Sequence, residues 1–363
     1  MQTIEDLPTP AVLVDLDVLE RNVLGMQERA RQAGVKLRPH AKTHKSPEVA
    51  RLQLSAGASG LTLAKTSEAE VFAALGFDDI FVGFPVFGAD KARRLLALSD
   101  QVRLAVGVDS EAGARSLGDV FRAAGRRLAV RLKIDCGYHR VGVAPEQAVA
   151  AARRIAEVPG IVFAGVFTHG GQGYAGRTPE EVAAAGHAEG RIVAEAARAI
   201  RAAGLPVEEV SLGSTPTVRA ALSERGVTEC RPGTYVYNDL SQATLGSCGL
   251  EDCAMTVVAT VVSAPAGDRA VVDAGSKTLS TDPLLPTGAG HGAILGRKSR
   301  IARLSEEHGV IAVEPGESFR VGERVRILPN HACVVSNLHD RLIAVRNGSV
   351  EGRITVAARG CVQ

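Results

Sequence analysis

The chain has 363 residues, 45% hydrophobic and 23% charged, enough for a sizeable core and, by length, for about two domains. Lys and Arg number 42 against 40 Asp and Glu, a formal charge of +2 without any basic block, which excludes a nucleic-acid or membrane-surface protein and leaves small molecules as partners. The start lacks the basic and apolar regions of a secretory signal and no apolar run is long enough to span a bilayer, while Cys136, Cys230, Cys248, Cys253, Cys333 and Cys361 form no paired framework; a cytoplasmic protein with free thiols is expected.

Ala11 to Val14 reads as a strand, and Asp17 caps a helix whose Leu19, Val23 and Met26 share a face until Gly34 stops it. In the next stretch Val35, Leu37, Pro39 and Ala41 alternate with Lys36, Arg38, His40 and Lys42, so a continuing strand would put the cationic set on one face. Pro39 has no N–H for a central ladder, which leaves open a strand that ends near Arg38 and passes into a solvated loop. Cations turned inward call for an anion such as a phosphate, and a lysine desolvated among them is pushed toward a free, nucleophilic amine.

Ser46-Pro47-Glu48 starts a helix, a cap followed by proline at the first position. The alternation then repeats: strand candidates are Gly60 to Ala64, Asp79 to Phe84, Arg103 to Val108, Arg127 to Ile134, Ile161 to Thr168 and Val207 to Ser211. Helical patterns cover Ser67 to Leu75, Ala89 to Leu98, Glu111 to Ala124, Pro145 to Ala156 and Glu180 to Ala203. About eight such units predict an α/β chain with a closed (β/α)8 barrel of TIM type, and no Gly-x-Gly-x-x-Gly turn points to a dinucleotide fold. From Met255 the texture changes to β-type runs, Thr256 to Val262, Ala270 to Asp273, Val325 to Leu328 and Leu342 to Arg346, between Gly, Pro and Asp clusters. The predicted division is a barrel over 1–250 and a smaller all-β domain over 251–363, which the first ten or so residues of the chain could join. Leu279 to Gly296 reads as a surface loop.

Barrel chemistry sits where strands end. Asp135 to Gly142 follows one strand, Thr168-His169-Gly170-Gly171-Gln172-Gly173-Tyr174 another, and Ser211-Leu212-Gly213-Ser214-Thr215-Pro216-Thr217 a third. The Gly-Ser-Thr run ahead of a helix suits a phosphate, and Arg231-Pro232-Gly233-Thr234-Tyr235 is a second such turn. Glycine-rich turns are common, so the convergence with an inward lysine carries the reading. Farther on, His331-Ala332-Cys333 sets an imidazole and a thiol two apart, on one face if the segment is a strand, a pair that suits zinc yet by itself is more often a packed histidine and a buried thiol.

Arg38-Pro39-His40-Ala41-Lys42-Thr43-His44-Lys45, Arg140-Val141-Gly142 and Arg231-Pro232-Gly233-Thr234-Tyr235 together resemble the alanine-racemase-like pyridoxal-phosphate enzymes, and within them the D-serine dehydratase and D-threonine aldolase family. The resemblance runs from Thr9-Pro10 to the C-terminal region. It implies pyridoxal 5'-phosphate (PLP) bound covalently to Lys42, with Lys45 a surface or supporting residue. His169 would lie against the ring, Tyr174 or alternatively Arg231 would reach its nitrogen, and Arg140 would lie near its hydroxyl. Gly213, Ser214, Thr215, Gly233 and Thr234 would hold the phosphate. It further implies a divalent metal, zinc first with manganese or magnesium as alternatives, held by His331 and Cys333 against a substrate β-hydroxyl, and a homodimer. The aldolase branch resembles His-Cys-Asp at that place and the dehydratase branch His-x-Cys; Val334 follows here, which favours elimination over aldol cleavage of a β-hydroxy-D-amino acid. A racemase would need a second base and no metal, and a non-catalytic PLP carrier would need neither the metal pair nor the second domain.

Overall fold

The computed structural model describes residues 2–363, Ala266 by its backbone alone. Eight parallel strands curl into the first sheet: β1 (Lys36–Leu37), β2 (Leu61–Leu63), β3 (Asp79–Pro85), β4 (Arg103–Val108), β5 (Leu128–Lys133), β6 (Ile161–Phe167), β7 (Glu209–Leu212) and β8 (Glu229–Cys230). Each pairs with its sequence neighbour from β2 to β8, and β8 pairs with β1. Between β1 and β2 the ring is closed by a single bridge, His40 to Thr62, and by Thr62 N–H donating to Pro39 O at 2.9 Å. Helices such as Ala89–Leu98, Glu111–Ala123 and Pro179–Ala202 cover the outside, giving the expected TIM-type barrel.

The period of two sorts side chains strongly along β5. Leu128, Val130 and Leu132 are buried on one face, and Arg131 and Lys133 share the other. The barrel interior is consequently polar at its base. Glu229 accepts from Arg38 Nε at 2.7 Å, from Arg131 Nη1 at 2.6 Å and from Ser211 Oγ at 2.5 Å, while Arg38 also reaches Asp79 at 2.6 Å. Burial pushes the Glu229 carboxyl up, but Arg131 and Arg38 outweigh it and hold the group down at about 2.

Two expectations about the first strands are corrected. The cationic segment does not run on as a strand: β1 stops at Leu37, and Ala41–Thr43 is a turn of 3-10 helix. The backbone still donates to the next strand past Leu37, Arg38 N–H to Cys230 O at 2.9 Å and His40 N–H to Pro232 O at 3.0 Å, before it turns at Ala41; Lys36 lies outside on Glu209, at 3.0 Å, while Arg38 is buried. Nor is the remainder a solvated loop, since Ala41, Thr43 and His44 are fully buried. The run read as an opening barrel strand, Ala11–Asp15, lies instead in the second sheet, between Met255–Ala266 (antiparallel) and Arg341–Arg346 (parallel).

That second sheet has nine strands, most of them antiparallel. Three of them escape a hydrophobicity reading: Arg300–Leu304 and Ser349–Thr355 because charged or small residues occupy their exposed positions, and Gly309–Ala312 because four residues are too few to show a period. A further correction falls on His331-Ala332-Cys333, which is not a strand: His331 is the N-cap of the helix Ala332–Leu338, and Cys333 lies in its first turn. The segment Leu279–Gly296 is not merely superficial either, because Asn330, buried at 1% exposure, donates through Nδ2 to Asp282 O at 3.0 Å and to Gly290 O at 2.9 Å.

Candidate active site

At the end of the barrel where strands finish, the turns after β7 and β8 face each other across the lysine turn. Gly213 takes a φ of +129°, and a Cβ there would meet Arg231 N at 3.0 Å. A Cβ on Gly233 would come within 2.9 Å of both His40 O and Thr43 Oγ1, so side chains are barred from both turns. Among the described residues no protein group takes up the N–H groups of Ser214, Thr215 or Gly233. Two glycine turns with free N–H groups and the buried hydroxyls of Ser214, Thr215 and Thr234 fit a phosphate.

Glu189, fully buried on the helix Pro179–Ala202, supports this cradle from behind. It accepts the Gly213 N–H at 2.9 Å and the Thr217 hydroxyl at 2.6 Å, and Thr217 Oγ1 lies 2.8 Å from Ser214 Oγ. The Gly213 carbonyl in turn accepts Nδ1–H of His169 at 3.1 Å. One peptide thus ties the phosphate turn to the histidine expected against the ring.

Beside the cradle is a cavity of about 320 Å³ lined by His40, Lys42, Lys133, Arg140, His169 and Arg231, with Phe84 and Phe167 on its walls. A larger cleft of about 720 Å³ opens outside the barrel between the helices Leu16–Gln32 and Pro179–Ala202. It shares only Thr215 with the predicted site and has no lysine among its described lining residues, so the smaller cavity is the candidate site. Lys42 is open to that cavity, yet desolvation by the protein around it lowers its pKa; Cys333 opposes this, and Arg140 and Arg231 add to it. Burial, followed by the charge of Lys42, pushes both His40 and His169 well below the usual imidazole range, so both are neutral. Arg231 donates to Ser211 Oγ and Thr168 O, and its guanidinium stands 5.4 Å from the Phe167 ring centre.

The helix Ala332–Leu338 brings the second pair of donors to the same place. Cys333 Sγ is 3.2 Å from Thr43 Oγ1 and 3.5 Å from Thr234 Oγ1, and Thr43 is the neighbour of Lys42. Burial would raise the Cys333 thiol, but His331 more than reverses this and the thiol falls below its ordinary value. His331 is raised to about 11 although burial opposes it, because Cys333 and Asp282 favour the cation. A thiol poised to ionise, beside an imidazole that releases a proton when it ligates, is a donor set that fits zinc.

Of the residues singled out from the sequence, Lys42, Arg140, His169, Gly213 and Arg231 line the cavity together. Ser214, Thr215, Gly233 and Thr234 build the adjoining cradle. Tyr174 is not on the cavity wall; its phenol lies toward Thr234 and Gln242, and burial raises its pKa. Lys45 is not a surface residue, being buried and paired with Glu68 at 3.2 Å. Sequence reasoning missed Lys133, which is buried, lies 4.8 Å from the Phe167 ring centre and is lowered to about 7 by burial and then by Arg231. Its signal was present in the inward alternation of Arg131 and Lys133. Asp282 and Glu189 had none, since each acts across a long sequence gap.

Residues 14–241 match the family described as alanine racemase, N-terminal domain, and residues 254–345 the putative serine dehydratase domain. The chain is 39% identical to D-threo-3-hydroxyaspartate dehydratase of Delftia sp. (strain HT23), over 91% of this chain and 92% of that protein. It is 34% identical to D-threonine aldolase of Arthrobacter sp. (97% and 93%) and 30% identical to D-serine dehydratase of Dictyostelium discoideum (95% and 95%). Among solved structures it superposes on D-threonine aldolase from Filomicrobium marinum with a TM-score of 0.91 at 34% identity, covering 100% of both chains. A metal-free form of D-threo-3-hydroxyaspartate dehydratase with a cysteine replaced by alanine also gives 0.91, at 37% identity over 98% of this chain and 99% of that one. The barrel, the nine-stranded sheet and these matches along nearly the whole length place the chain in the alanine-racemase-like family of lyases that includes the D-serine dehydratases and D-threonine aldolases.

Proposed function

We propose that the chain is a PLP- and metal-dependent lyase that eliminates water from a β-hydroxy-D-amino acid, giving a 2-oxo acid and ammonia. The observation that carries this reading is the 3.2 Å approach of Cys333 to Thr43, which sets the metal-ligand pair against the lysine turn. Gly213, Ser214, Thr215, Gly233 and Thr234 would hold the phosphate, His169 the ring face and Arg140 the ring hydroxyl. Arg231 is assigned to the ring nitrogen in preference to Tyr174, because Arg231 lines the cavity. PLP, when bound, supplies the electron sink for charge that develops at the α-carbon.

Lys42 Nζ is the group on this chain that takes the α-proton, its lowered pKa keeping a larger share of the amine free. His331 and Cys333 would hold a divalent metal, zinc by donor chemistry, that supplies Lewis acidity to the β-hydroxyl. With His40 and His169 neutral and Lys42 and Lys133 both lowered, the arginines are the fixed cations of the site. The D configuration is inferred from the substrates in the relatives' names, and a homodimer from the family resemblance.

Aldol cleavage to glycine and an aldehyde is the second reading, supported by the 34% identity to D-threonine aldolase. The test is to incubate the loaded protein with D-serine, D-threonine and D-3-hydroxyaspartate and to assay ammonia and glycine separately. Ammonia with a 2-oxo acid is expected. Glycine as the main product would make the protein an aldolase, and neither product from any substrate would overturn the lyase reading.

A further inference from the structure

We infer that Asp282 is a positioning residue that fixes the ring of His331 and thereby sets the affinity of the His331–Cys333 pair for a divalent metal. This rests on the proposed role of the pair in holding a metal. Asp282 Oδ2 lies 2.5 Å from His331 Nδ1. A carboxylate only accepts, so Nδ1 keeps its proton and Nε2 is the nitrogen that gives up its proton to bind a metal. A carboxylate behind a ligating imidazole orients the ring and strengthens its donor nitrogen.

The backbone of the loop that carries Asp282 is held on both sides of the residue. Asn330 Nδ2 donates to Asp282 O at 3.0 Å, and the Asp282 N–H donates to Ser280 Oγ at 3.2 Å. Asn330 immediately precedes His331, so the residue before the imidazole grips the backbone of the residue that grips the imidazole. On the other side of the pair, Asp239, buried at 1% exposure, accepts the Ala332 N–H at 2.9 Å. That bond fixes the turn joining the two ligands. Ring and thiol are therefore both set before any metal arrives, the ring by Asp282 and the helix start by Asp239.

The test measures zinc affinity of the PLP-loaded protein by competition with a chromophoric chelator, in wild type, Asp282→Ala, Asp282→Asn and His331→Ala. Asp282→Ala is expected to weaken zinc binding about 10–100-fold, with the cofactor absorbance and melting temperature unchanged. Asp282→Asn should recover part of the loss, because its amide oxygen still accepts from Nδ1. Wild-type zinc affinity in Asp282→Ala overturns the inference while leaving the metal site intact. Equal losses in the Ala and Asn variants of a normally folded protein also overturn it, since an acceptor that still holds the ring would then contribute nothing. If His331→Ala binds zinc as wild type does, the metal reading fails first and the inference falls with it.

Discussion

Lys42 and Lys45 stand three apart in one motif, and their surroundings give them opposite duties. Lys42 opens on the cavity, whereas Lys45 is buried against Glu68 with Nζ donating to Cys361 O at 3.2 Å. Lys42→Ala should abolish the yellow colour of the purified protein and its borohydride labelling. Lys45→Ala should keep both and lose about 3–5 kcal/mol of stability, because it strands a buried carboxylate; equal loss of colour in the two variants would mean that the register of the motif is misread. Cys333→Asp should retain metal and shift the product ratio toward glycine, measured on a substrate both routes accept. The lysine and the His-x-Cys pair were legible because each motif is local. The partners of both, Glu68 and Asp282, were not, since they approach from 23 and 49 residues away along the chain.

Strands such as Arg103–Val108 and helices such as Ala89–Leu98 could be read to the residue, because one side of each packs on an apolar core and leaves a clear period. Lys36–Leu37 and Glu229–Cys230 have two residues each, too few to show any period, and the single turn at Ala41–Thr43 is as short. Their energetics come from the buried charges between them. Glu229 has a folded pKa of about 2 against an ordinary value of 4.5. Its contribution to stability is therefore fully present above pH 4.5 and is lost as pH falls toward 2. Thermal unfolding of the wild type should weaken through that window, and Glu229→Gln should flatten this dependence while costing about 3–5 kcal/mol at neutral pH, because Arg38 and Arg131 lose their shared carboxylate. An unchanged acid profile in Glu229→Gln would mean that other carboxylates set the acid limit.

Across the whole molecule, the change of texture near Met255 was visible in the sequence, yet the membership of Ala11–Asp15 was not: a short apolar run buried on both faces looks alike in either sheet. Its partners are Met255–Ala266 and Arg341–Arg346, so the first strand of the chain is completed by its last hundred residues or so. Synthesis runs from the N-terminus at roughly 5–20 residues per second. Val12, Leu13 and Val14, all at 3% exposure or less in the finished fold, accordingly wait on the order of 10–60 s on the ribosome before a partner strand exists. Throughout that delay the barrel can close while a sticky leader hangs free, an invitation to chaperones and to neighbouring nascent chains. A photo-crosslinker at Leu13 should capture chaperone from ribosomes stalled after residue 250, and the adduct should vanish only once the segment ending at Arg346 has emerged.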